Sequence, residues 1–181
     1  LVLGGTPFTA LVVLWVNFLI TVPVALALGF DKPASDLMKH KPRPLKQPIL
    51  TTPQWVRIGF IGLLTALTTV YLESVYEADG TAAAATIGFV AFALLSIAMG
   101  LGARSETATA LRRDVFSGRR QGGLFALALL LTFLPTELGF LQDLLGLTSL
   151  NSDQWLLCFG LAFALLLVDE VIKFFLRRNR S

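Results

Sequence analysis

The sequence predicts an all-α fold, namely a polytopic membrane helix bundle of five transmembrane helices. Hydrophobic residues make up 55% of the 181 residues, which is more than a soluble domain normally carries. They are gathered into runs of about 20 residues, the length an α-helix needs to cross a bilayer. Each run is apolar throughout, without the alternation of a half-buried strand. The predicted helices cover residues 8–29, 55–76, 82–103, 123–140 and 155–176.

Helix-start signals stand before several of these runs. Thr6 has the side chain of an N-cap, and Pro7 suits the first helical position because it needs no hydrogen-bond acceptor there. Thr52-Pro53 repeats the same signal before the second run. Either Asn151 or Ser152 is expected to cap the fifth helix.

The basic residues predict how the chain is oriented in the membrane. All fifteen fall in three zones, which hold Lys32, Lys39, Lys41, Arg43, Lys46 and Arg57, then Arg104, Arg112, Arg113, Arg119 and Arg120, then Lys173, Arg177, Arg178 and Arg180. Loops that carry Lys and Arg stay in the cytoplasm. We therefore expect cytoplasmic loops at 31–53 and 104–121, an outside N-terminus and a cytoplasmic C-terminus. The expected location is the plasma membrane.

Several uncommon sequence phrases occur in a fixed order along the chain. They are Leu14-Trp15-Val16-Asn17, Ala27-Leu28-Gly29-Phe30, Asp36-Leu37-Met38-Lys39, Lys41-Pro42-Arg43, Gly102-Ala103-Arg104-Ser105 and Asp169-Glu170-Val171-Ile172-Lys173. Together they resemble the last five transmembrane helices of the cation-transporting P-type ATPases, in the calcium-pump-like branch. The resemblance implies an all-helical fold and a role in ion transport. It also implies five further helices ahead of this chain, which fits the expected outside N-terminus.

Polar groups inside the first run are candidates for an ion path. Asn17 and Thr21 are four residues apart, so they share a helix face. Pro23 lacks an N–H and clashes with the carbonyl of Leu19, which leaves that carbonyl free near Asn17. An amide, a hydroxyl and a free carbonyl are suitable cation ligands. The alternative is that Asn17 only holds helices together. The resemblance implies the first role, because Asn17 falls on the family's helix-six ligand position.

The same comparison shows departures from the family pattern. The family's Thr-Asp pair falls on Ile20-Thr21, and its acidic or amide position on helix eight falls on Ser96. Ser96 is therefore only a weak ion-path candidate, and packing with Gly100 is the favoured role of this small-residue pair. Hard divalent cations prefer carboxylates, and none is expected here at mid-membrane depth. The transported metal is left open, and helices outside this chain would supply further ligands.

The basic loop after the first run has two interpretations. The resemblance implies a cytoplasmic coupling loop that touches the pump's phosphorylation domain, with its residues at Asp36, Leu37, Met38, Lys39, Pro42 and Arg43. The alternative is a loop that only fixes topology and faces lipid headgroups. The Leu-Met pair favours the coupling loop.

No catalytic residues are predicted. The Asp-Lys-Thr-Gly phosphorylation sequence of P-type pumps and a phosphate-binding Gly-rich loop are both absent from this sequence, and His40 is its sole histidine. ATP and Mg²⁺ would act only through other domains of a full pump, so the chain should be inactive alone. The expected partners are the lipid bilayer, the N-terminal half of a pump and an inorganic cation, with no nucleic acid. The alternative function is a free-standing small membrane protein with a structural or assembly role.

Overall fold

The computed structural model describes residues 9–30, 52–103 and 119–178, with side chains up to residue 175. The first span runs from Ala10 to Gly29 in three segments. These are α1 (Ala10–Leu14), a π-helical segment (Trp15–Thr21) and α2 (Val22–Gly29). Thr9 is the N-cap, since its hydroxyl accepts a hydrogen bond from the Val12 N–H at 3.3 Å. The helix thus begins later than predicted, and Thr6 lies outside the described residues.

The remaining helices follow the predicted order. They are α3 (Thr52–Tyr76), extended by a 3-10 turn (Glu77–Asp79), then α4 (Thr81–Ala103), α5 (Arg119–Glu137), α6 (Gly139–Leu145) and α7 (Ser152–Arg178). The described residues contain no strand, which confirms the all-α fold class. Both α3 and α7 begin earlier than predicted, since Thr52 and Ser152 are already helical. The predicted cytoplasmic loops lie outside the described residues, apart from 52–53 and 119–121.

The predicted fourth helix, 123–140, falls mostly within α5 and ends in the first residues of α6. The chain breaks at Leu138, and the axes of α5 and α6 meet at 87°. The Gln142 side chain holds the break by donating to the Thr136 carbonyl at 2.6 Å. Among the described residues, 4 helices are long and apolar enough to cross a membrane, or up to 5 if the bent pair is one span.

A proline in α5 leaves one carbonyl without its usual donor, and another helix supplies a replacement. Pro135 has no N–H to give to the carbonyl of Leu131, four residues earlier. The indole N–H of Trp15 donates to that carbonyl at 2.9 Å. The hydrogen bond joins the first span to α5 and explains how the proline is tolerated inside the helix.

Helix α4 is the centre of the bundle and packs against α2, α3, α5 and α7. It is also the most deeply buried span, with residues such as Ile87, Phe89 and Leu95 almost completely covered. Small residues let its neighbours approach closely. At Gly100 a Cβ atom would overlap the Cγ1 atom of Val24 on α2. This contact agrees with the packing role predicted for the pair Ser96 and Gly100, as far as Gly100 is concerned.

Candidate functional site

The polar side chains of the first span lie on its exposed side. Asn17 and Thr21 are both exposed, next to exposed apolar residues such as Phe18 and Val22. Asn17 Nδ2 donates to the carbonyl of Val13 at 2.8 Å, within the same helix. Its amide oxygen accepts no hydrogen bond from any described residue. Within the described residues Asn17 therefore joins no two helices, and its side chain lies on the exposed side of the first span.

The backbone around this pair departs from a regular α-helix. The seven residues from Trp15 to Thr21 are π-helical, and Thr21 Oγ1 donates to the carbonyl of Val16 at 3.0 Å, five residues back. Single π-helical turns inside α-helices are frequent at functional sites. Pro23 is buried near the start of α2 and has no N–H to offer the Leu19 carbonyl. The sequence did not reveal the π-helical segment, and the free carbonyl of Leu19 stays a prediction.

The other candidates of the sequence analysis are less well placed or lie elsewhere. Ser96 is half-buried in the middle of α4, and its role in an ion path stays a prediction. The residues from Asp36 to Arg43 lie outside the described residues. Within the described ranges, no group of three or more His, Cys, Asp or Glu side chains could hold a metal ion.

A second polar site joins α3, α4 and α7 near one end of the bundle. Arg57 donates from Nε to Asp169 Oδ1 at 2.7 Å and from Nη2 to Asp169 Oδ2 at 2.8 Å. Its Nη2 also donates to the carbonyl of Gly102 at 3.3 Å. Such two-pronged pairing fixes both side chains, because the guanidinium fork matches the carboxylate. One arginine thus connects three helices.

Lys173 completes this site from the next turn of α7. Its side chain is fully buried, and Nζ lies 3.1 Å from Asp169 Oδ2 and 3.0 Å from Glu170 Oε1. Both contacts of Lys173 are local, because its partners lie four and three residues earlier on the same helix. The contact with Arg57 was missed. The predicted topology could have suggested this contact, because it places Arg57 and Asp169 at the same end of the bundle.

Glycine makes this arrangement possible on the α4 side. A Cβ atom at Gly102 would lie 2.6 Å from Asp169 Oδ2, too close for any real side chain. A similar close approach occurs at Gly88 on α4, where a Cβ atom would lie 2.6 Å from Glu73 Oε1. That Glu73 oxygen is buried and has no hydrogen-bond partner among the described residues. The Glu73 side chain therefore packs against α4.

The fold and the polar sites are those of a multi-spanning helical membrane protein that carries an amide side chain on an irregular membrane helix. The chain belongs to the family described as "Cation transporting ATPase, C-terminus", whose family model matches residues 5–175. This confirms the resemblance to the C-terminal membrane region of calcium-pump-like P-type ATPases. It supports the pump hypothesis over the free-standing membrane protein.

Three relatives illustrate the similarity. The chain is 28% identical over 180 residues to calcium-transporting ATPase 1 of Schizosaccharomyces pombe, covering 96% of this chain and 20% of the relative. It is 30% identical over 168 residues to plasma membrane-type calcium-transporting ATPase 8 of Arabidopsis thaliana, covering 87% and 16%. It is 26% identical over 167 residues to calcium-transporting ATPase lmo0841 of Listeria monocytogenes, covering 92% and 19%. The chain thus spans a fifth or less of the length of these relatives.

Proposed function

We propose that this chain completes the ion path of an ATP-driven cation pump and braces the pump's core helices. Family membership supports a place in the membrane domain. The single observation that carries the ion-path role is the exposed face of the first span, where the Asn17 amide oxygen accepts no hydrogen bond from any described residue. A polar group on an apolar membrane helix is expensive unless other helices or an ion meet it.

The cation proposed for transport is Ca²⁺, following the names of the relatives. Calcium takes six to eight oxygen ligands, and amide, hydroxyl and backbone carbonyl oxygens are all acceptable. Asn17, Thr21 and the Leu19 carbonyl would offer part of that set. Carboxylates would have to come from helices outside this chain, because the exposed face around Asn17 carries none.

The rest of the pump would supply the chemistry that this chain lacks. ATP and Mg²⁺ would bind to its cytoplasmic domains, and an aspartate there would be phosphorylated. The loop with Asp36, Leu37, Met38, Lys39, Pro42 and Arg43 would couple that domain to the membrane helices. The alternating basic loops support a cytoplasmic C-terminus and an outside N-terminus. We place the protein in the plasma membrane.

Replacing Asn17 tests the ion-path role. In the complete pump, we expect Asn17→Ala to raise the cation concentration for half-maximal ATPase activity about tenfold, since one oxygen ligand is lost. The melting temperature in detergent should change little, because the hydrogen bond of the Asn17 side chain within the described residues stays inside its own helix.

Ser96→Ala is the matched control, because it removes a polar group from a half-buried position on α4. It should leave both the cation dependence and the melting temperature near those of the unchanged protein. An unchanged cation dependence in Asn17→Ala together with a lower melting temperature would assign Asn17 to helix packing and end the ion-path proposal.

The proposed orientation is tested by labelling of single cysteines. Cys158 is fully buried in α7, so Cys158→Ala removes the native thiol with little disturbance. On that background we expect His40→Cys to be protected from a membrane-impermeant maleimide in intact cells and labelled after permeabilisation. Asp79→Cys, on the exposed turn after α3, should show the opposite pattern. Labelling of position 40 in intact cells would refute the orientation.

A further inference from the structure

A cavity of about 280 Å³ opens between α3, α4 and α7, beside the Arg57–Asp169 pair. Its size is near the lower limit for ligand pockets, about 300–1,000 Å³. Gln54, Arg57 and Asp169 form its polar rim, and the deeper wall is apolar, with Ile58, Ile61, Ala98, Met99, Leu165 and Leu166. A pocket with one polar end and one apolar end suits an amphiphile.

The rim of this cavity lies where lipid headgroups are expected. Trp55, one residue from Gln54, is 62% exposed at the beginning of α3. Tryptophan favours the interface between hydrocarbon and water, so it marks the headgroup level of the bilayer. From Gln54 to Ile61, α3 rises about 10 Å, at 1.5 Å per residue. The cavity therefore leads from headgroup level into the hydrocarbon, parallel to a lipid chain.

Arg57 is held as a donor for an anionic group. Asp169 engages its Nε and Nη2 atoms, and the Gly102 carbonyl engages Nη2 again. Its Nη1 atom donates to none of the described residues. A guanidinium that is fixed along one edge loses little entropy when a phosphate binds the other, and arginine is well suited to phosphate.

The charge balance around the cavity permits an anion. Arg57 and Lys173 are offset by Asp169 and Glu170, so the pairs within the described residues leave no excess of negative charge. A headgroup phosphate can therefore approach Arg57 without meeting an excess of negative charge, and basic side chains between membrane helices are a known setting for lipid headgroup binding.

We propose that this cavity binds one anionic phospholipid from the leaflet in which α3 begins. The headgroup phosphate accepts hydrogen bonds from Arg57, and one acyl chain lies along Ile58 and Ile61 between α3 and α7. Binding would add a lipid contact across three helices that the Arg57–Asp169 pair already joins. This site is separate from the proposed ion path, so either proposal stands or fails alone.

The test is a thermal-shift titration of the complete protein in detergent micelles with dioleoyl phosphatidylglycerol or dioleoyl phosphatidylcholine. A ligand that binds only the folded state raises the melting temperature, and the rise grows with the logarithm of the free ligand concentration once that concentration exceeds the Kd. We expect phosphatidylglycerol to give the same rise as phosphatidylcholine at about a tenfold lower concentration. Equal behaviour of the two lipids, or no rise, would overturn the proposal. Soluble glycerol phosphate should be inactive, and an equal rise from it would exclude the acyl-chain contact.

Variants separate the two halves of the site. Ala98→Leu fills the cavity without touching the charged rim and should abolish the phosphatidylglycerol effect. The matched control is Ala126→Leu, which makes the same change in a second cavity, lined by Phe133 and Trp155, and should preserve the effect. Arg57→Lys keeps the charge but loses the fork, so its phosphatidylglycerol dependence should approach that of phosphatidylcholine. If that variant does not fold, Ala98→Leu decides alone, and an undiminished lipid effect in it refutes the site.

Discussion

Asp169→Ala should destabilise the folded chain more than any other single change considered for this protein. The carboxylate neutralises the buried cation of Lys173 and the largely covered guanidinium of Arg57, whose side chain is 13% exposed. Removing one partner of a buried ion pair leaves uncompensated charge and typically lowers the free energy of unfolding by about 3–5 kcal/mol. The measurement is the free energy of unfolding in detergent, followed by the loss of helical circular dichroism with added denaturing detergent.

Two comparisons make this result specific. Asp153→Ala removes an exposed aspartate from the first turn of the same helix, where it interacts only with the helix dipole, and should lower stability by less than about 1 kcal/mol. Lys173→Met added to Asp169→Ala should recover part of the loss, since one unpaired cation is removed. A stability loss no larger than that of Asp153→Ala would show that the three-helix connection contributes little.

Gly100→Ala is expected to destabilise the bundle, against the usual preference of helices for alanine. In an unconstrained helix this change gains about 0.5–1 kcal/mol. Here the new Cβ would overlap Val24, whose branched side chain is buried and has few alternative rotamers. Overpacking of this kind costs about 1–3 kcal/mol. The same unfolding measurement should therefore show a net loss.

The control for this change is Gly160→Ala on α7, where a new Cβ meets nothing within 4 Å. That variant should be neutral or more stable. Val24→Ala should restore much of the stability of Gly100→Ala, because it removes the overlapping methyl groups. If Gly100→Ala behaves like Gly160→Ala, the approach of α2 to α4 is looser than the structure indicates.

Length and hydrophobicity were sufficient to predict the helices, because a membrane span must satisfy its own backbone and therefore has one regular form. The predicted ends were within a few residues for α3, α4 and α7. The break after Glu137 was missed, although Pro135 lies beside it. A proline inside a membrane helix is compatible either with a kink or with the end of the helix. Deciding between them requires contacts such as Gln142 with Thr136, which depend on tertiary structure.

The sequence identified only those site residues that stand out within a single helix. Asn17 and Thr21 were identified because a polar residue in an apolar run is conspicuous. The π-helical segment around them has no sequence signature of its own. Arg57 was assigned to the general excess of basic loop residues, and its partner Asp169 is 112 residues away along the chain. Long-range pairing of this kind follows from helix packing, which the pattern of one helix does not specify.

The contact between Trp15 and the Leu131 carbonyl has a consequence for how these positions vary. Trp15 donates to Leu131 only because Pro135 cannot. With any other residue at 135, the backbone N–H would compete for that oxygen and weaken the hydrogen bond of the indole. With proline kept and Trp15 lost, the carbonyl would stand alone in a low-dielectric setting. The two positions, on different helices, are therefore tied as a pair, so that a substitution at one is tolerated only together with a matching change at the other.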